Sequence, residues 1–124
     1  MSDYSDGETK VISRKGSGKE HAIPVTIRAI LKVAGGADVG QQYYLEKNLT
    51  TIGRSSKADI QLNDEQASRV HAEISFVNME FRIRDLHSSN GTFLNGSSVV
   101  EYALRNHDKI MIGETLLNFI IQRI

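Results

Sequence analysis

Three short stretches gather side chains suited to holding an anion beside a peptide. In residues 51–62 (TIGRSSKADIQL), Gly53-Arg54 follows an apolar strand end at Ile52. Glycine lets the backbone turn or be approached closely, and Arg54 then projects a forked, permanently charged donor. In residues 63–74 (NDEQASRVHAEI), Ser68 and Arg69 set a compact hydroxyl beside a second guanidinium, just ahead of a strand. In residues 85–96 (DLHSSNGTFLNG), Ser88, Ser89 and Asn90 add two hydroxyls and an amide before Gly91 and Thr92. An asparagine carries donor and acceptor together, so it can grip a peptide C=O and N–H at once. Singly, each is an ordinary turn or surface residue. As a set they are anion and peptide ligands without a catalytic partner.

Catalysis is the competing chemistry. Ser68 with His71, or Ser89 with Asp85, offers pieces of a hydrolase triad. No G-x-S-x-G elbow is present, however, and nothing marks an oxyanion hole or an orienting carboxylate. His21, His87 and His107 lack metal-ligand spacing, and a chain without cysteine has no thiolate site and no disulfide. No catalytic residue, cofactor or metal is expected. His71 reads as a hydrogen-bonder that fixes the neighbouring loop.

The framework behind these loops reads as β-structure. In TIRAILKV, Ile27, Ala29, Leu31 and Val33 share one face, and Ile30 is an apolar exception on the other. VHAEISFV is predicted to turn Val70, Ala72, Ile74 and Phe76 inward, with His71, Glu73 and Ser75 outward. EFRIRDL sets Phe81 and Ile83 against Arg82 and Arg84, and KIMIG and TLLNFIIQRI follow. Gly and Asn clusters interrupt these runs every ~8–12 residues, and no segment keeps a helical period, which predicts an all-β antiparallel sandwich with loops at its ends. Of the two Asn-Gly pairs, Asn95-Gly96 reads as a hairpin after a very short strand, residues 92–94. Asn90-Gly91 reads as a loop end that leaves Asn90 for a ligand.

The chain has 124 residues, which suits a single domain. Residues 1–23, rich in Ser, Gly and charge, read as a flexible tail, and residues 24–124 as the folded domain. The 15 basic and 15 acidic side chains cancel, so no net field draws the protein to nucleic acid or to a membrane. Without an apolar run of membrane length or a signal-like leader, a monomeric cytoplasmic protein with no membrane insertion is expected.

GR at 53–54, SRVH at 68–71 and DLHSSNGTFLNG at 85–96 together resemble the forkhead-associated (FHA) family of phosphothreonine-binding domains. The spacing is similar too, about fourteen residues from GR to SR and about twenty from SR to NGT, and the resemblance runs from about residue 26 to residue 124. It implies a sandwich of about eleven strands acting as a binding module and not as an enzyme. It further implies that Arg54 pairs with the phosphate, Ser68 hydrogen-bonds it, Arg69 adds charge and Asn90 holds the peptide main chain. Ser89 stands where relatives commonly have Thr and keeps the hydroxyl. Gly53, His71, Gly91, Asn95 and Gly96 are implied as supports of the site. The implied partners are phosphothreonine-containing proteins, with a Ser/Thr protein kinase upstream.

In the tail, Thr9 is followed three positions later by Ile12. The layout resembles small FHA regulators with a phosphorylated N-terminal threonine, so phosphorylated Thr9 would dock into an FHA site of its own or a neighbouring molecule. The alternative function is a phosphate-independent interaction module that uses a sheet face, through Ile30, Tyr44 or the apolar C-terminal strand.

Overall fold

A computed structural model describes residues 22–124. Thr9 and the tail reading up to residue 21 lie outside them. In chain order the strands are β1 (Ile27–Gly35), β2 (Gln42–Leu45), β3 (Leu49–Gly53), β4 (Ile60–Gln61), β5 (Ala72–Val77) and β6 (Glu80–Asp85). They continue with β7 (Thr92–Leu94), β8 (Ser97–Val99), β9 (Glu101–Ala103), β10 (Lys109–Ile112) and β11 (Thr115–Arg123). One sheet has the order β9-β6-β5-β3-β4, the other β2-β1-β11-β10-β7-β8. All pairings are antiparallel except the two-residue contact of β3 with β4. Among the described residues no helix is long and apolar enough to cross a membrane.

The alternation read from the sequence decides which faces meet. Ala29, Leu31 and Val33 of β1 and Leu117 and Phe119 of β11 face Ala72, Ile74 and Phe76 of β5 and Phe81 and Ile83 of β6, all buried. Phe81 joins the layers, with its ring centroid 4.6 Å from that of Phe76 and 5.3 Å, edge-on, from that of Phe119. Such tilted aromatic pairs add about 0.5–1.5 kcal/mol each beyond the area they bury. Ile23, at the end of the expected tail, also packs against this core.

Two expectations are corrected, the exposure of Ile30 as a sheet-face contact and the orientations of Val70 and His71. Ile30 does point away from the core side of β1, yet it is only 2% exposed. It is paired between Tyr44 of β2 and Ile120 of β11, so its neighbours in register flank it on both sides. Val70 and His71 are exchanged relative to expectation, Val70 being 41% exposed and His71 0%. The strand starts at Ala72, so period two governs Ala72, Ile74 and Phe76 but not the two residues before them.

The strand directions collect the three candidate loops at one end. β3 ends there, β5 begins, β6 ends and β7 begins, and the β10–β11 turn at Gly113-Glu114 lies alongside because Ile112 pairs with Thr92. The Asn78-Met79 turn between β5 and β6 is at the opposite end, about 17 Å along β5 at the usual strand rise. It is therefore too far to touch a ligand held at the first end.

Candidate functional site

Backbone bonds lock the first two loops together before any side chain is considered. Arg54 N–H donates to Ser68 O and Ser55 N–H to Arg69 O, both at 3.0 Å, and His71 N–H donates to Ile52 O at 2.8 Å. The side chains are then aimed by the loops themselves. Arg54 Nε donates to Ala67 O at 3.1 Å, which anchors one edge of the guanidinium while the residue stays exposed. Among the described residues its terminal nitrogens have no acceptor, so the fork faces outward. Ser68 Oγ accepts from Ser89 N–H at 3.0 Å, which ties the second loop to the third and leaves the hydroxyl proton to be donated elsewhere. Asn90 Nδ2 donates to Gln66 O at 2.8 Å. A carbonyl partner requires the NH2 of the amide, so the orientation is determined and Oδ1 is the atom left to accept a peptide N–H. Asn90 is thus tethered through Nδ2, and Oδ1 is the part of the side chain left for a ligand, as the sequence reading expected of the residue. Arg69 and Ser89 are exposed and held through main-chain atoms.

His71 lies beneath these loops. Its Nδ1 accepts from Ser68 N–H at 3.0 Å, so the ring proton is on Nε2, which donates to Gly91 O at 2.8 Å. Both nitrogens are occupied and the ring is fully buried. A base needs a free lone pair facing a substrate, and this imidazole has none to offer. Asp85, beside it, accepts from the Ser88 hydroxyl, from Ser88 N–H at 3.1 Å and from Thr92 Oγ1 at 2.7 Å, while Ser88 Oγ in turn accepts from Gly91 N–H at 2.9 Å. Burial pushes the Asp85 carboxyl up, but these bonds and the nearby His71 outweigh it and hold the group below the usual carboxylate range. The third loop is therefore rigid, which its Ser-Ser-Asn-Gly composition alone does not announce. Among the described residues no group of three or more His, Asp or Glu is placed to hold a metal ion.

Arg54, Ser68, Ser89 and Asn90 come together as one hydrogen-bonded set, with Arg69 joined through its carbonyl. Gly53, His71 and Gly91 lie directly under it. Asn95 and Gly96 do not, because they close the β7–β8 hairpin at the far end of β7, with Leu94 paired to Ser97 and both turn residues at positive φ, 51° and 88°. Asn95 also donates to Asp108 and accepts from Lys109 N–H, each at 2.9 Å. The two Asn-Gly pairs should respond in opposite ways. Asn95→Ala is expected to lower unfolding stability by about 1–2 kcal/mol, through strain at positive φ and two lost bonds, without changing affinity for the phosphopeptide that the FHA resemblance implies. Asn90→Ala is expected to change stability by less than ~0.5 kcal/mol, as an exposed residue, while weakening that affinity about tenfold. Urea melts and calorimetric titrations of the two variants check both halves. Sequence reasoning missed Asp64 and Gln66, and met Asp85 only as a piece of a triad. For the two aspartates the signal was an Asp two or three positions ahead of a turn N–H, the pattern of an Asx turn.

A two-sheet β-sandwich with an Arg, a Ser and an Asn presented from three loops at one end defines a class, and the FHA domain profile matches residues 50–113 of this chain. The chain belongs to the FHA family. Among curated relatives it is similar to the glycogen accumulation regulator GarA of Mycobacterium tuberculosis, with 38% identity over 92 residues, 74% of this chain and 57% of GarA. It is also similar to the oxoglutarate dehydrogenase inhibitor of Corynebacterium efficiens, with 37% identity over 92 residues, 74% of this chain and 65% of the inhibitor. The chain thus spans less than two thirds of the length of either relative. Among solved structures, M. tuberculosis EmbR in complex with a low-affinity phosphopeptide superposes with a TM-score of 0.71 at 31% identity, over 77% of this chain and 25% of EmbR.

Proposed function

We propose that this protein is a non-catalytic phosphothreonine reader. The observation that carries the reading is the joint tethering of Arg54, Ser68 and Asn90 to one loop system, each keeping polar atoms that no described residue pairs. A phosphate dianion presents three acceptor oxygens. The Arg54 fork, the Ser68 hydroxyl, the Ser89 hydroxyl and the Arg69 charge supply donors to them, and Asn90 Oδ1 takes a peptide N–H. Charge-assisted bonds of this kind contribute about 1.5–3 kcal/mol each. Three or four, less desolvation and peptide ordering, support an affinity of about 1 μM, near −8 kcal/mol. The buried, doubly bonded His71 argues against hydrolysis at the same loops.

The names of the relatives extend the reading to a regulator that acts by docking on another protein, and an oxoglutarate dehydrogenase is the partner to test first. A Ser/Thr protein kinase upstream and a cytoplasmic monomer fit this role. Thr9 is the candidate internal ligand. Fifteen residues separate it from Pro24, a reach of up to about 50 Å, against a radius of gyration near ~13 Å for a domain of this size. Phosphorylated Thr9 docked in its own site would exclude outside partners.

The test is calorimetry with a phosphothreonine peptide drawn from a degenerate library, its unphosphorylated form and its phosphoserine form. Binding of the first at about micromolar level and none of the second is expected, with the phosphoserine form weaker by at least the ~0.8 kcal/mol of one buried methyl. Equal affinity for the phosphorylated and plain peptides would move the function to a sheet face. NMR of Thr9-phosphorylated protein tests the internal ligand, and unshifted signals at Arg54, Ser68 and Asn90 would end that part of the proposal.

A further inference from the structure

Asp64 is not on the exposed surface of the site, yet both tethered side chains depend on the turn it holds. The residue is 8% exposed. Its Oδ1 accepts from Gln66 N–H at 2.9 Å, and its Oδ2 accepts from Glu114 N–H and from Thr115 Oγ1, both at 2.7 Å. Its main-chain carbonyl accepts from Ala67 N–H at 3.1 Å. Gly113, at φ +59°, passes so close that a Cβ there would lie 2.7 Å from either carboxylate oxygen. One buried carboxylate thus bolts the turn at residues 64–67 to the β10–β11 turn of the opposite sheet. Burial raises the Asp64 pKa, but the bonds from Thr115, Glu114 and Gln66 outweigh that and leave it below the usual carboxylate range, so the group is charged and every donor is matched.

The turn so fixed presents two consecutive carbonyls to the site. Gln66 O takes Asn90 Nδ2 at 2.8 Å and Ala67 O takes Arg54 Nε at 3.1 Å. The direction of these two carbonyls sets where the amide and the guanidinium point. Resting on the reading of this site as phosphothreonine-binding, we infer that Asp64 is a positioning residue, which pre-orients Arg54 and Asn90 through the Ala67 and Gln66 carbonyls. Without it the two side chains must be ordered by the ligand, a cost that for two long or polar side chains amounts to about tenfold in affinity.

A control separates positioning from general stability. Asp59 also accepts three hydrogen bonds, from Lys47 Nζ at 2.6 Å, Thr51 N–H at 2.9 Å and Thr51 Oγ1 at 3.1 Å, but these lie away from the 64–67 turn. The experiment compares Asp64→Asn, Thr115→Val and Asp59→Asn in the full chain, by calorimetry with the library-selected phosphothreonine peptide and by NMR of the Arg54 Nε–H and Asn90 side-chain amide in the ligand-free protein. Asp64→Asn should weaken binding about tenfold and Thr115→Val about threefold, with faster exchange of both NMR signals. Asp59→Asn should lower the melting temperature while changing affinity less than about twofold and leaving both signals in place. Equal loss of affinity in Asp64→Asn and Asp59→Asn, or unchanged Arg54 and Asn90 signals in Asp64→Asn, overturns the positioning role. If Asp64→Asn does not fold, Thr115→Val carries the same comparison, since it removes one donor and keeps the shape. If the parent protein binds no phosphothreonine peptide, the reading of the site fails by itself. The ligand-free spectra then decide on Asp64, changed signals upholding the orientation it imposes and unchanged ones rejecting it.

Discussion

Arg54→Ala is expected to give a folded protein whose affinity for a phosphothreonine peptide is at least ~100-fold lower, a loss of about 3 kcal/mol. Two facts make the effect large on binding and small on stability. The guanidinium is the charged donor whose orientation is fixed in advance, by Nε on Ala67 O, and the two terminal nitrogens are spaced for two phosphate oxygens. Against this, the residue is exposed and contributes to the fold one hydrogen bond to a main-chain carbonyl, about 1 kcal/mol. Arg54→Lys refines the prediction. It keeps the charge and loses the fork and the Nε anchor, so recovery should be partial, within about tenfold of the alanine variant. Calorimetry at two salt concentrations with thermal melts checks all three quantities. An alanine variant that binds like the parent would remove the phosphate from this end of the sandwich and favour a surface such as that around Tyr44, which is 53% exposed.

Most of the fold was legible because period two is a direct consequence of the pleat. Ala29-Leu31-Val33, Ala72-Ile74-Phe76 and Phe81-Ile83 all point where the alternation put them. It placed Ile30 on the correct face but not at the correct burial, because alternation separates faces without saying how tightly residues on the outer face crowd one another. It failed at His71 because strand periodicity was extended one turn of chain too far, into a loop whose side chains answer to hydrogen bonds. The exposed members of the site were legible as types, since an Arg, a Ser and an Asn each next to turn chemistry already suit an anion. The buried Asp64 was not. Its bond to Gln66 N–H is local, but Glu114 N–H and Thr115 Oγ1 lie 50 and 51 residues away, and no local pattern encodes contacts between separate turns. Beneath the exposed members lies the layer that supports them, and there a single added methyl is expected to have a large effect.

Gly53→Ala should show this most sharply. A Cβ on Gly53 would sit 2.1 Å from Arg69 O, 2.7 Å from Arg69 C and 2.9 Å from Val70 Cα. All three are main-chain atoms, so no rotamer change relieves the overlap. Moving the 68–70 segment away means stretching the bonds on either side of the contact, Arg54 N–H to Ser68 O, Ser55 N–H to Arg69 O and His71 N–H to Ile52 O. Moving Gly53 instead strains Leu62 N–H to Gly53 O at 2.7 Å. A methyl group is thus set against a ladder that joins β3 to two loops. Overpacking ordinarily costs about 1–3 kcal/mol, and with only backbone to yield the loss here should exceed ~3 kcal/mol. The expected result is a large fall in urea midpoint with a slope near that of the parent. The residual folded fraction should bind phosphopeptide weakly as well, because Ser68 and Arg54 lose register together. Gly53→Ala therefore differs from Arg54→Ala in kind, since it takes stability and binding at once. A midpoint change worth less than about 1 kcal/mol would mean that the 68–70 segment gives way freely. The close approach at Gly53 would then be incidental to the locking of the first two loops, which would rest on the Arg54 and Ser55 N–H bonds to Ser68 O and Arg69 O.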